Sequence, residues 1–540
     1  MTELLSPKPQ KGALYYIEKA GNALPHPAIL FAIFALAVLV LSAIGSWLGW
    51  YGEHEAIGRR EVVNLLTREG IHNIILNTVT NYTSFAPLGV VMVAMLGIGV
   101  MEQSGLIRAA INTMLVKTPA RLITFMVVFT AIVSNVAGDL GYLLIIPLAG
   151  VIFHSLGRHP LVGMSAAFAG VSGGFSANIF INSLDPLLAG ITQESARLVD
   201  PTYVVLPTAN YFFMAASTFL IAILGTIVAV KWSEPRFGKY TGNVEREEIV
   251  HPSALEKKGL RNAGWAFLML IALIGILLIP KQIGSFTSPL GDGFLLGDAV
   301  VNGETQTWVE RLLNSPVLRG IVPILLFITA TLGVVYGFTV GTYKKAADVI
   351  TSMSDSFKSL AAYLVLVFFA SQFVAWLRWS DLGLILAMNG AEAFEIFRDT
   401  EYTVIPMVIP LMIIFVIFTG LSNFMMGSAS AKWAIMGPVF VPLFMFLGYS
   451  PELAQAVYRV GDSVTNVISP MMSFFPLIII YYQKYDKKAG IGTIVAAMLP
   501  YTIAFFLGWT ALLIVWVAFG IPLGPGAPLV YDINLLMYGM

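Results

Sequence analysis

The sequence contains no cysteine and little charge: Asp, Glu, Lys and Arg make up 11% of its 540 residues, against 57% hydrophobic residues. Without cysteine there is no thiol nucleophile, no disulfide and no thiolate metal ligand, and the redox compartment stays open. Net charge is also absent, with 31 basic and 31 acidic residues, so no long-range field recruits nucleic acid. No Walker A run or dinucleotide glycine fingerprint occurs, and His154 and His159 stand five apart, outside the i, i+4 spacing of a metal-binding helix. ATP-driven transport and nucleotide chemistry are not indicated, and no cofactor is expected. What remains is apolar. A mean hydropathy of +0.80 points to an all-α polytopic membrane protein.

Crossings of about 20 apolar residues fall near 28 to 49, 85 to 101, 161 to 181, 206 to 231, 262 to 279, 319 to 341, 361 to 377, 451 to 483 and 491 to 518. That gives nine transmembrane helices. The segment 231–261 carries seven basic residues, which by the positive-inside rule makes it a cytoplasmic linker, with Lys344, Lys345, Lys484, Lys487 and Lys488 agreeing. The N-terminal segment 1–27 is then cytoplasmic and the tail 519–540 periplasmic. Loops 50 to 84 and 280 to 318 fall outside.

Two apolar stretches, 120–157 and 403–448, are each long enough for two helical legs, yet each is interrupted by a polar Ser-Asn pair. Both read as re-entrant hairpins, the first entering from the cytoplasm and the second from the periplasm. Ser134-Asn135 is followed by Ser176-Ala177-Asn178, and Ser422-Asn423 by Val464-Thr465-Asn466; Ser134 to Asn178 and Ser422 to Asn466 are both 44 residues. Each unit closes on Pro-Leu, at Pro186 and Pro476. Residues 28–230 and 262–518 thus form an inverted-topology repeat, the architecture whose broken helices meet at the bilayer midplane to bind substrate and ions.

Backbone unwound at membrane depth must line protein or a water-filled cavity. Ser134, Asn135, Ser172, Gly173, Gly174, Ser176 and Asn178 could supply one cage of oxygens, and Ser422, Asn423, Thr465 and Asn466 its symmetry mate. Oxygen ligands suit a hard cation, and sodium is the metal they fit; helix packing alone would also use such residues. A charge inside a spanning helix costs about 2.5 to 3.5 kcal/mol on insertion scales, so Asp139, Asp185, Lys432, Arg459 and Asp462 are candidates for a cavity. Arg459 and Asp462, at i and i+3, can neutralise one another. Asp185 has no local cation in the sequence and reads as a proton relay, or as a turn-initiating Asp-Pro. Lys432 and Arg459 suit an anionic substrate, with Trp433 placed either to stack on an aromatic ring or to pack.

Three stretches, SNVAGDLGYLLIIPLAGVIFHSLGRHPL, AGVSGGFSANIFINSLDPLLAGIT and GSASAKWAIMGPVFVPLFMFLGYSPELAQAVYRVGDSVTNVISPMM, closely resemble the p-aminobenzoyl-glutamate transporter (AbgT) family of bacterial inner-membrane proteins. The resemblance implies a homodimer with nine crossings and two opposed hairpins per protomer, similar to the divalent anion and sodium symporters. It implies transport of p-aminobenzoyl-glutamate and, for some members, export of sulfonamide antimetabolites. The site residues it implies fall on Asp185, Asn423, Ser430, Trp433, Pro451, Arg459, Asp462 and Pro470; Ser430 and Pro451 enter through the likeness alone. Sodium or a proton would be the coupling ion, lipid and a small-molecule substrate the partners, without nucleic acid. An ion channel with re-entrant selectivity loops and a hydrolase using Asp185 and Asp462 as a carboxylate pair are the rival readings.

Overall fold

An amide in hydrocarbon has no water to bond, and the long apolar runs satisfy theirs internally as helices. The computed structural model describes residues 27–138, 140–246, 251–283, 286–288, 292–301, 304–395 and 404–533. The segment 1–26, Asp139, residue 403 at the start of the second expected hairpin, and 534–540 lie outside the described residues.

Eight described helices are long and apolar enough to cross a membrane: Pro27–Leu48, Arg68–Gln103, Tyr211–Phe237, Ala254–Leu277, Ile321–Val340, Leu360–Trp379, Ala429–Phe446 and Ile491–Ala518. Together they define a multi-pass membrane protein. The expected crossings at 161 to 181 and 451 to 483 are not continuous helices. The first runs as Pro160–Phe168, widens into a π turn at Ala169–Gly173, and resumes at Leu184–Ala196. The second runs as Pro451–Asn466 and resumes at Phe475–Tyr485.

The stretch 50–84, expected as a loop, contains a strand hairpin, Tyr51–His54 with Gly58–Glu61, and a helix, Arg68–Thr83, that joins Ala86–Gln103 in one apolar run. Leu382–Glu395 is a further helix that the crossing pattern did not place. Ala429–Phe446, expected as half of a hairpin, has spanning length despite Pro438 and Pro442 within it.

Two groups of helices are visible. In one, Ala86–Gln103 packs against Ile321–Val340 and Ala346–Trp379, while Ala254–Leu277 and Pro27–Leu48 lie outside them. Small residues permit this closeness: a Cβ at Gly333 would stand 2.7 Å from the Met101 backbone nitrogen. In the other group, Val404–Ser422 packs on Pro451–Asn466, and Ala429–Phe446 on Leu184–Ala196. Helices Ala86–Gln103 and Leu184–Ala196 touch and form the seam between groups.

The chain ends of the two interrupted units gather on different neighbours. Arg158 pairs with Glu234 at 2.5 Å, and His154 and His159 pack on Tyr240, with His159 also on Phe237, which ties the end of Gly141–Ser155 and the start of Pro160–Phe168 to the basic segment 231–261. Around the second unit, Ser450 N donates to Leu529 O at 3.0 Å and Tyr531 N to Gly448 O at 2.9 Å, which ties the turn between Ala429–Phe446 and Pro451–Asn466 to the C-terminal tail.

Candidate functional site

Interruptions were expected at four places, the pairs Ser134-Asn135 and Ser422-Asn423 and the later Ser176-Ala177-Asn178 and Val464-Thr465-Asn466, and the helices break at each. The helix Ile123–Val133 passes into a 3-10 turn at Ser134–Ala137 and ends at Gly138, whose φ of 56° is the left-handed conformation glycine adopts freely. Gly174 to Ser183 is non-helical around Asn178, Val404–Ser422 stops before Asn423, and Pro451–Asn466 stops at Asn466. Ser450 caps this last helix, accepting from Leu453 N at 3.2 Å, and Pro451 takes the first position, where its missing N–H is harmless. The helix is buried from Pro451 to Val464, so its charges face protein.

Arg459 extends from this helix to the other unit. Its Nη1 meets Asp185 Oδ1 at 2.7 Å and its Nη2 donates to Ser176 O at 2.9 Å, with only 1% of the side chain exposed. Asp185 lies in the first turn of Leu184–Ala196, where the helix dipole favours a carboxylate, and its Oδ2 accepts from Asn182 N at 2.9 Å. The Arg459–Asp462 pairing allowed by their spacing is not made, and Asp185 is not a carboxylate without a cation. Asp462 instead pairs with Lys432 of Ala429–Phe446, both side chains almost fully buried. Two buried charge pairs are therefore formed, one across units and one within the second.

The asparagines lock the breaks. Asn423 Nδ2 donates to Asp462 O and to Thr465 Oγ1, the latter at 2.7 Å; Thr465 Oγ1 donates to Gly420 O at 2.8 Å, and Ser469 Oγ to Asn423 O at 2.6 Å. In the first unit Asn135 Nδ2 donates to Ile132 O and Val171 O at 3.0 and 3.1 Å, and Asn178 Oδ1 accepts from Phe180 N at 3.1 Å. Ser134 and Ser422 turn their hydroxyls back onto carbonyls three residues earlier. The two units meet where Ser176 N donates to Ser463 Oγ at 3.3 Å.

Among the described residues several buried oxygens at these breaks have no hydrogen-bond partner: Asn135 Oδ1, Ser172 Oγ and Ser176 Oγ in one unit, and Thr419 Oγ1, Asn423 Oδ1 and Asp462 Oδ2 in the other. An unpaired buried acceptor is costly. Neutral oxygens with one carboxylate are donors that fit a hard monovalent cation.

Trp433 is fully buried; its ring stacks on Tyr458 with centroids 4.5 Å apart, and its Nε1 donates to Thr192 Oγ1 at 2.8 Å. From Thr192 a chain the sequence reading missed continues through Gln455 Oε1 at 2.6 Å, Gln455 Nε2 to Asn210 Oδ1 at 2.7 Å, Asn210 Nδ2 to Glu452 O at 2.9 Å and Tyr203 OH to Glu452 Oε2 at 2.9 Å. The available signal was Glu452 and Gln455 at i, i+3 in an otherwise apolar run. Ser430 is half-buried beside Ser428, and Pro470 half-buried past the second break. Pro451 is eleven residues before Asp462, about 16 Å along the axis, and so does not join the charge pairs.

A multi-pass helical membrane protein in which two interrupted units meet through buried charges has the layout of a solute carrier. Residues 13–531 match the family described as "AbgT putative transporter family", and the chain belongs to that family. It is 34% identical over 522 residues to the p-aminobenzoyl-glutamate transport protein of Escherichia coli (strain K12), covering 96% of this chain and 97% of that one. It is also similar to two solved structures. The Alcanivorax borkumensis YdaH transporter, described as having an unusual topology, is 39% identical with a TM-score of 0.82 over 93% of this chain and all of the other. Neisseria gonorrhoeae MtrF, described as illuminating a class of antimetabolite efflux pumps, is 44% identical with a TM-score of 0.85 over 95% of this chain and all of the other.

Proposed function

We propose that the chain is an ion-coupled secondary transporter of p-aminobenzoyl-glutamate or related aromatic carboxylates, including sulfonamide-type antimetabolites, working by elevator-like alternating access. The observation that carries this reading is Arg459, a fully buried guanidinium held by one carboxylate and one carbonyl of the opposite unit. A substrate carboxylate can take the place of Asp185 on that guanidinium, which couples binding to the contact between units. The relatives' names supply the substrate class.

In this reading Asn423, Ser430, Lys432, Trp433, Arg459, Asp462 and Pro470 serve the substrate, with Pro451 setting the start of their helix. Asp185, Ser134, Asn135, Ser176, Asn178, Ser422, Thr465 and Asn466 serve coupling. The partnerless oxygens at both breaks favour sodium as the coupling ion. The legs Ile123–Val136 and Gly141–Ser155 are each too short to span a hydrocarbon core of about 30 Å, which supports a re-entrant first hairpin. The different neighbours of the two hairpin closes support opposed entry, with the basic segment cytoplasmic and the C-terminal tail periplasmic. The group built on Ala86–Gln103 and Ile321–Val340 is the scaffold, and in a homodimer in the bacterial inner membrane it is the face that meets the partner.

Uptake of labelled p-aminobenzoyl-glutamate into proteoliposomes under separately imposed sodium and proton gradients tests the proposal. Saturable accumulation driven by the sodium gradient is expected. Flux that neither saturates nor accumulates points to a channel and overturns it.

A further inference from the structure

A cavity of about 350 Å³ lies at the seam between the two helix groups, away from the charge pairs. It is lined by Thr80, Asn81 and Ser84 from the end of Arg68–Thr83, by Ser371 and Arg378 from the end of Ala346–Trp379, and by Glu194 and Arg197 from the end of Leu184–Ala196. Ala346–Trp379 starts beside Lys344 and Lys345 and runs 34 residues, about 50 Å at 1.5 Å per residue, so Arg378 stands at the end opposite those lysines. Resting on the function proposed above, we propose that this cavity is an entry subsite that takes a carboxylate of the transported solute before it reaches Arg459.

Three observations support it. Arg378 is exposed and, among the described residues, its side chain makes no hydrogen bond or ion pair, so its guanidinium is free to take an anion. A planar guanidinium is the side chain best shaped for a carboxylate. Arg197 is already engaged with one: its Nη1 stands 3.4 Å from Glu194 Oε1, while its Nε donates to Tyr203 O at 3.2 Å. The Glu194 carboxylate also lies beside the start of the scaffold helix Ala86–Gln103, which packs on Leu184–Ala196, and feels the charge of Arg378. The chain's own carboxylate thus sits among two guanidiniums and a helix N-terminus, the surroundings a solute carboxylate would need. Last, Glu194 and Asp185 belong to one helix, nine residues or about 14 Å apart along its axis, and each is paired with an arginine. An anion that releases Glu194 at one end of Leu184–Ala196 has the same exchange ahead of it at the other.

The experiment is equilibrium binding to the full-length protein in nanodiscs, using labelled p-aminobenzoyl-glutamate and, separately, labelled glutarate. In an R459Q background, which removes the interior guanidinium, a weaker saturable site is expected to persist. Adding R378Q should raise its Kd at least tenfold, and R378K should recover part of the loss. An equal Kd in R459Q and R459Q/R378Q overturns the subsite. To separate this from the function itself, glutarate is also titrated in the R459Q background with and without R378Q: a rise in the glutarate Kd on adding R378Q keeps the subsite even if wild-type protein ignores p-aminobenzoyl-glutamate and the proposed substrate fails. Glutarate binding to R459Q that R378Q leaves unchanged overturns the subsite whatever the protein transports.

Discussion

Arg459 gives its Nη1 to Asp185 at 2.7 Å and leaves Asp462, three residues along its own helix, to Lys432. Asp185 and Asp462 each have one cation, and only one of the two pairs crosses between units. Removing one member of such a pair leaves a bare charge in a low-dielectric interior, which costs about 3 to 5 kcal/mol, far more than the pair contributes as a whole.

Asp185→Asn should therefore lower thermal stability in detergent by several degrees and abolish accumulation of substrate. Differential scanning fluorimetry and proteoliposome uptake check both halves. Wild-type uptake by the variant would make the carboxylate merely structural.

For the second pair a double-variant cycle is decisive. Lys432→Met alone strands Asp462, whereas Lys432→Met with Asp462→Asn removes both charges, so the double variant should be more stable than Lys432→Met. A double variant no more stable than that single variant would show that Lys432 acts by packing.

Sodium should raise the melting temperature of the wild type, since a ligand at a hundredfold excess over its Kd adds about 2.7 kcal/mol. Asn423→Ala takes away both the partnerless Oδ1 and the bonds to Asp462 O and Thr465. It should abolish the sodium-specific shift, with choline as the control salt. An undiminished shift in Asn423→Ala would remove that break from the ion site.

Gly461→Val should separate two helices that now touch. A Cβ there would lie 2.6 Å from Val416 O, inside any normal contact. The expected destabilisation is about 1 to 3 kcal/mol, read as an earlier unfolding midpoint, with transport falling as Asp462 and Asn423 move apart.

Trp433→Ala tests recognition against packing. The ring is fully buried on Tyr458, so stability should drop by about 3 to 5 kcal/mol, while Trp433→Phe keeps the stack and loses only the bond to Thr192. Kinetics with an aromatic carboxylate and with a simple aliphatic dicarboxylate then tell whether the ring also reads the solute.

Much of this was legible because polar residues in a hydrophobic run are expensive. Asn135, Asn178, Asn423 and Asn466 marked all four helix interruptions through their neighbours in the sequence. The charged candidates other than Asp139, which is not described, all turned out buried and paired. Partner choice was not legible: i, i+3 spacing permits Arg459–Asp462, but a long guanidinium can reach another helix, and tertiary packing decided it. The chain from Trp433 to Glu452 was hidden for the same reason, its members being brought together from Ala429–Phe446, Leu184–Ala196, Pro451–Asn466 and the stretch from Tyr203 to Asn210. Arg68–Thr83 was missed because its apolar residues are diluted by Arg68, Glu69, His72 and several asparagines.

The bridge made by Arg459 also bears on biogenesis. Ser176 and Arg459 are 283 residues apart in the chain, and at about 5 to 20 residues per second the ribosome delivers the arginine roughly 15 to 60 s after its acceptor. Throughout that delay the neighbouring Asp185 is in a nascent polypeptide without its counter-ion, and must be kept wet, protonated or chaperoned. The first half of the gene, translated alone, should consequently yield a poorly inserted product that quality-control proteases clear.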